Sequence, residues 1–165
     1  MGFSQTNIYR FNPKISFDKP DTSVWILNMD KLPDKESKGL ISYLRKPVYD
    51  SLGRSIRPMM AIVFENLKDS IDAVAYSANY WFGNNPYHVK YNLLGGYPDY
   101  SSDRFAVMFD GVYYRSGVKH KVMMGFIVRY KIGIQIICDS VDDVFLQVES
   151  DMKKFIKSVH IEEVK

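Results

Sequence analysis

Apolar positions along this chain follow two rhythms, one close to the turn of a helix and one that alternates or runs unbroken as in strands. Residues 70–82 place Ile71, Val74, Ala75, Ala78 and Phe82 at i, i+3, i+4, i+7 and i+11, one stripe of a helix. Asp69 or Ser70 stands where a side-chain oxygen caps a helix, and Gly83 and Pro86 stop it. Trp81 falls just off that stripe. A second helix is predicted by Phe145, Val148, Met152, Phe155, Ile156 and Val159, with Glu149, Asp151, Lys153, Lys154 and Lys157 on its other face. Ser140 followed by Asp143 resembles a capping box. Asp142 and Asp143 suit the positive end of that helix, and its lysines suit the negative end.

The strand-like segments surround these helices. Residues 15–17 and 23–27 read as short strands parted by the turn residues Lys19, Pro20 and Asp21. Residues 29–38 read as a charged loop, and 45–54 as a loop or bent hairpin ending at Gly53. The run 55–64 is apolar at both parities, so both of its faces need cover. Further strands are predicted over 87–94, 105–114 (broken near Asp110 and Gly111), 118–130 and 132–138. Arg115-Ser116-Gly117 and Lys131-Ile132-Gly133 serve as hairpin links. This order predicts an α+β fold, an α/β/α sandwich around a central antiparallel sheet. Residues 1–10 read as a flexible N-terminal arm and 11–165 as a single domain.

Composition narrows the function. The 165 residues are 46% hydrophobic and 25% charged, the balance of a globular domain, and the net charge of +3 is too weak a bias to imply nucleic acid. No apolar run reaches the roughly 18 residues of a membrane span. The start, Met-Gly-Phe-Ser-Gln-Thr, fits the loose Gly2 and Thr6 pattern for myristoylation. It also fits the Met-Gly left where a vector replaces a removed leader, and the second reading is preferred; that leader could carry a lipid anchor.

The chemistry-bearing residues are sparse. Cys138 is the one cysteine and falls on the strand face of Ile134 and Ile136, as a buried structural thiol does. His88, His120 and His160 have no partner at metal-ligand spacing, and no metal is expected. Asp139, Asp142 and Asp143 lack the regular calcium-loop pattern. No nucleophile elbow or phosphate loop is present, so no catalytic residue is assigned and no cofactor is expected. Glu162 and Glu163 read as a solvated tail. Arg115, Lys119, His120, Lys121, Arg129 and Lys131 belong to one hairpin and read first as charge protecting an edge strand.

Aromatic residues make up 15% of the chain, most of them suited to a core and sheet. One region suggests more: Tyr80, Trp81, Phe82, Tyr87, Tyr91, Tyr97 and Tyr100 gather with Arg104 and the loop residues Asn84, Asn85, Asp99 and Asp103. Rings beside a polar loop read either as a partner-binding rim or as a rim that packs on the neighbouring loop. The candidate binding residues are Trp81, Tyr80, Tyr97, Tyr100 and Arg104.

The chain also resembles the PsbP-like family, which includes the extrinsic subunit of photosystem II, the Ran-binding Mog proteins and many bacterial exported proteins and lipoproteins. The resemblance rests on Ile15-Ser16-Phe17-Asp18-Lys19-Pro20 leading to Trp25, on Gly125-Phe126-Ile127-Val128 with Gly133-Ile134-Gln135-Ile136, and on residues 140–161, including Phe155-Ile156-Lys157-Ser158-Val159. The Pro20 to Trp25 spacing is wider than the short Pro-x-x-Trp of the family. The resemblance implies an α/β/α sandwich and no shared active site. The expected function is therefore a non-catalytic, exported or periplasmic binding or accessory protein acting on an unknown protein or small ligand. The alternatives are a small-molecule enzyme with a loop-built site at His88, Asp99, Asp103 and Arg104, and a self-assembling structural module.

Overall fold

The computed structural model describes residues 5–8, 13–31, 38–83 and 88–164. In chain order the strands and helices are β1 (Gln5–Ile8), β2 (Ile15–Asp18), β3 (Trp25–Lys31), β4 (Gly39–Arg45), β5 (Val48–Tyr49), β6 (Ser55–Ile56), β7 (Met59–Asn66), α1 (Ala73–Gly83), β8 (Lys90–Gly96), β9 (Ala106–Arg115), β10 (Val118–Arg129), β11 (Ile132–Val141), α2 (Asp142–Phe145), α3 (Glu149–Ser158) and β12 (His160–Ile161). Seven strands form one antiparallel sheet in the order β3-β4-β7-β11-β10-β9-β8, and β1, β2 and β12 form a small second sheet. The mismatch between sequence order and sheet order arises where β11 returns beside β7.

The large sheet is covered on both faces, as 55–64 required. Along β10 the even positions Val122, Met124, Phe126 and Val128 pack with Ala73, Tyr76 and Trp81 of α1. The odd positions Met123 and Ile127 pack with Phe145, Val148, Met152, Phe155 and Ile156 of α2, α3 and their link, and with Ile15 and Phe17 of β2. Period-2 alternation thus delivers two cores from one strand. The result is an α/β/α sandwich with an antiparallel sheet.

Several expectations need correction. Residues 5–8 of the supposed arm pair with β2, and Ile8 is buried in the core, because its apolar side chain finds the same cluster as Ile15. Residues 29–31 of the supposed loop belong to β3, and β4 escaped the sequence reading altogether. Strand β9 runs unbroken through Asp110 and Gly111, because Gly111 lies so close to Val89 that no side chain would fit there. Gly133 is no link residue. It sits inside β11, where a Cβ would come within 2.8 Å of the Tyr76 ring. The link is Tyr130-Lys131, both at positive φ, as a two-residue hairpin turn of this hand requires. The capping box does not form: Ser140 is the penultimate residue of β11, and α2 starts from Val141 without a side-chain cap. Residues 1–4, 9–12 and 32–37, and the predicted Asn84, Asn85, Pro86 and Tyr87, lie outside the described residues.

The first helix exposes part of its predicted stripe, while Ile71, Ala75 and Ala78 are half-buried. Val74 and Phe82 are 61% and 87% exposed, while Ala73, Tyr76, Ser77 and Trp81 are buried. Tyr76 and Trp81 are larger than Val74 and Ala78, and their rings fit between Phe126, Phe109 and Gly133 on the sheet. The N-terminal cap is Asp72, whose Oδ1 accepts the Ala75 N–H at 2.8 Å, rather than Asp69 or Ser70.

Candidate functional site

The predicted binding residues divide between the two faces of the sheet. Trp81 is no rim: it is 7% exposed, stacks on Tyr91 at 4.0 Å between ring centroids, and meets Phe109 and Phe126 edge-on. Tyr80 is half-buried beside it. Tyr100 packs against the opposite core. Tyr97 and Arg104 remain at the surface, with the Arg104 guanidinium 5.8 Å from the centre of the Tyr97 ring.

Tyr97 and Arg104 line an open groove of about 630 Å³, whose other walls come from Arg129, His160 and the tail at Glu162 and Glu163. Three polar staples build it. Asp103 is buried; its Oδ1 accepts the Phe105 N–H at 2.8 Å and its Oδ2 accepts the Ile161 N–H at 3.0 Å. Ser101 Oγ accepts the Asp103 N–H, and Lys157 O accepts the Ser102 N–H. The loop after β8 is thereby tied to α3 and β12. At the far wall, Arg129 ends β10 with its guanidinium 4.9 Å from the Phe105 ring and 4.8 Å from the Tyr130 ring. Tyr130 occupies the left-handed region at φ +53°, which costs roughly 1–2 kcal/mol for a residue with a Cβ. Its hydroxyl accepts an Arg129 N–H at 3.1 Å.

The supposed enzyme set does not converge. Both oxygens of Asp103 are spent on backbone N–H groups, so it has no role as a free base. His88 and Asp99 are exposed, and His88 does not line the groove.

A polar trio that the sequence reading missed sits on the α1 side of the sheet. Asp139 accepts hydrogen bonds from the Tyr113 hydroxyl and, at 2.8 Å, from His120 Nδ1, and the Tyr113 and His120 rings stack. Register is the signal that could have found it. The turn at Ser116-Gly117 sets Tyr113 opposite His120, and the turn at Tyr130-Lys131 sets Val122 opposite Asp139, two residues along and so on the same face. No nucleophile joins the trio among the described residues, and it reads as a satisfied polar contact.

The basic hairpin scatters. Strand β10 is interior, between β11 and β9, so its charges guard no edge. Lys119 pairs with Asp142 at 3.0 Å and Lys121 lies 4.6 Å from the Phe145 ring, both against α2. The three acidic residues weighed against a calcium loop are separated in use: Asp139 by the trio, Asp142 by Lys119, and Asp143 by the Ser51 N–H. Among the described residues no cluster of ligands is placed to hold a metal ion. Cys138 is fully buried, and burial, with Asp139 nearby, pushes its thiol well up, the state of an unreactive structural cysteine. Among the described residues no helix is long and apolar enough to cross a membrane.

No family model and no curated protein matches this sequence. Solved structures do. LpqN of Mycobacterium tuberculosis, described as involved in cell envelope biogenesis, superposes with a TM-score of 0.60 at 15% identity, over 98% of this chain and 92% of that one. PA94 of Pseudomonas aeruginosa, a protein of unknown function, gives a TM-score of 0.55 at 12% identity over 98% and 99% of the two chains. The cyanobacterial PsbP of Synechocystis gives 0.50 at 10% identity over 98% and 95%. The fold is PsbP-like. Within a PsbP-like frame, the groove lies where the loop after β8, the end of β10 and the strand β12 meet, and hydrogen bonds made by Asp103 and Ser102 tie its loop wall to β12 and α3.

Proposed function

We propose that this protein is a non-catalytic accessory module, exported and working at the cell envelope, that holds a partner in the groove between Tyr97 and Arg129. One observation carries the reading: the groove is lined by the exposed Tyr97 ring with Arg104 beside it, and by Arg129, whose guanidinium lies against the exposed Phe105 and Tyr130 rings, while among the described residues no acid–base pair converges there. Rings and arginines are the residue types that dominate binding energy at interfaces. The envelope setting is supported by a shared fold with LpqN.

The test is the double variant Tyr97→Ala, Arg104→Ala. Both side chains are exposed, so the change in stability is expected to stay within about 0.5 kcal/mol. Recovery of a partner cross-linked in cells is expected to fall at least about tenfold if the pair forms part of the binding hot spot. Undiminished recovery removes the groove from the reading. Fractionation of cells expressing the whole gene tests the compartment, and a wholly cytosolic protein overturns the exported reading.

A second reading, self-assembly, is favoured by β3. It is one of the two outer strands of the large sheet, and it exposes Ile26, Leu27 and Met29. An apolar edge strand is a template for pairing with another copy. Under this reading solution mass doubles as concentration rises, and Leu27→Lys restores the monomer; a mass that stays constant to millimolar concentration counts against it.

A further inference from the structure

The groove reading above leaves the occupant's chemistry open, and the following inference rests on that reading. We propose that the groove takes an extended acidic peptide by its carboxylates, anchored on Arg129, and that the chain's own tail at 162–164 holds a weak copy of that contact.

Charge within the groove is unevenly satisfied. Asp103 spends its carboxylate on two backbone N–H groups, and Glu162 takes the Ser16 hydroxyl at 2.5 Å. Arg104 has no acidic partner among the described residues; its guanidinium faces the Tyr97 ring. Among the described residues the acidic partner of Arg129 is Glu163, at 3.5 Å and 76% exposed, while its Nη1 donates to Ile161 O at 3.4 Å and its Nη2 to the Tyr130 hydroxyl at 3.1 Å, which leaves a second N–H on each nitrogen. The Arg129 side chain is only 16% exposed and its guanidinium lies within contact of two rings and donates to two oxygens, so its orientation is held and its hydration reduced. Both conditions favour a carboxylate, because a fixed fork of donors loses little freedom on pairing. Glu163 does not exploit them: a long, solvated side chain at that distance is worth at most about a fivefold preference. An incoming carboxylate displaces it cheaply.

The seat is shaped for a peptide. The tail runs along it with the Glu162 N–H donating to Lys14 O at 2.9 Å and the Val164 N–H reaching the Tyr130 hydroxyl at 3.5 Å. The Tyr130 hydroxyl, which accepts from Arg129, thus also meets a main-chain N–H of the tail beside the arginine. His160, the remaining polar wall, directs Nδ1 to Ser158 O and does not oppose an acidic occupant.

The experiment titrates a fluorescent peptide Ile-Glu-Glu-Val-Lys, the sequence of 161–165, into the whole protein and follows anisotropy. The Gln-Gln version of the peptide is expected to bind about tenfold more weakly, the loss of one charge-assisted hydrogen bond. Glu163→Gln is expected to tighten the acidic peptide by about two- to fivefold, the worth of an exposed ion pair. Arg129→Gln is expected to weaken it at least about tenfold, and raised salt to weaken it as well. Because Arg129 is packed, Arg104→Gln serves as the exposed second variant, with an expected loss of about threefold.

Equal binding of the acidic and Gln-Gln peptides, or no binding of either at millimolar concentration, overturns the carboxylate proposal. Unchanged affinity in Glu163→Gln overturns the role of the tail. Displacement of the peptide by polygalacturonate at equal carboxylate concentration overturns the commitment to a peptide. The groove reading is judged separately, by recovery of the cross-linked partner in the Tyr97 and Arg104 double variant.

Discussion

Alanine at Trp81 is expected to cost about 3–5 kcal/mol of stability, the range for emptying a buried aromatic site. The indole stacks on Tyr91 and meets Tyr80, Phe109 and Phe126 edge-on, so its removal strips contacts from four rings at once. Its N–H finds no acceptor among the described residues, which means that apolar and ring contacts alone hold it. The neighbouring Phe82, 87% exposed, is the internal control: Phe82→Ala is expected to change stability by less than about 0.5 kcal/mol. Urea titration of both variants measures the contrast. The hydrophobic stripe read from spacing makes the opposite forecast, so a larger loss at Phe82 than at Trp81 would overturn the observed orientation of α1.

Asp103 is expected to show the second large effect. Its carboxylate accepts the N–H groups of Phe105 and Ile161 from a buried position, and each such bond to a charged acceptor contributes about 1.5–3 kcal/mol. Asp103→Ala is therefore expected to cost about 3 kcal/mol or more. Asp103→Asn is expected to cost nearly as much, because the amide offers one acceptor and turns an N–H toward a second N–H. The loss is local as well as global. Without the Asp103 staple, β12 detaches from the loop after β8, and amide exchange at Ile161 is expected to accelerate more than exchange at Ile134 in the centre of the sheet. An Asn variant as stable as the parent would show that these two hydrogen bonds do not hold the groove together.

These two residues define what the groove depends on. Trp81 stabilises the sheet from the far face and touches no groove residue, so its loss is expected to lower the folded fraction without changing the affinity of the molecules that remain folded. Asp103 lies beneath the groove, and its loss is expected to disturb both. Its role was unreadable as chemistry in the chain: Asp103 next to Arg104 looks like half of an acid–base pair, and only the position of Ile161, 58 residues on, shows that its oxygens are used.

The local pattern alone determined the layer plan. A strand apolar at both parities demands cover on each face, two amphipathic helices supply it, and glycine-bearing links set antiparallel neighbours; residues 59–64, 145–159 and 115–117 carry that plan without outside help. The same pattern placed Cys138 correctly beside Ile134 and Ile136, since strand alternation is a matter of parity. Tertiary packing decided the rest. Which side of α1 turns inward depended on whether rings or small aliphatic groups fit the sheet opposite them, and Gly133 and Phe126 favoured Tyr76 and Trp81. The groove depended on Arg104, Arg129 and Glu163 arriving together from a loop, a strand end and a tail. Spacing along a chain encodes which neighbours share a face, whereas side-chain volume and contacts between distant segments are settled only when the layers close.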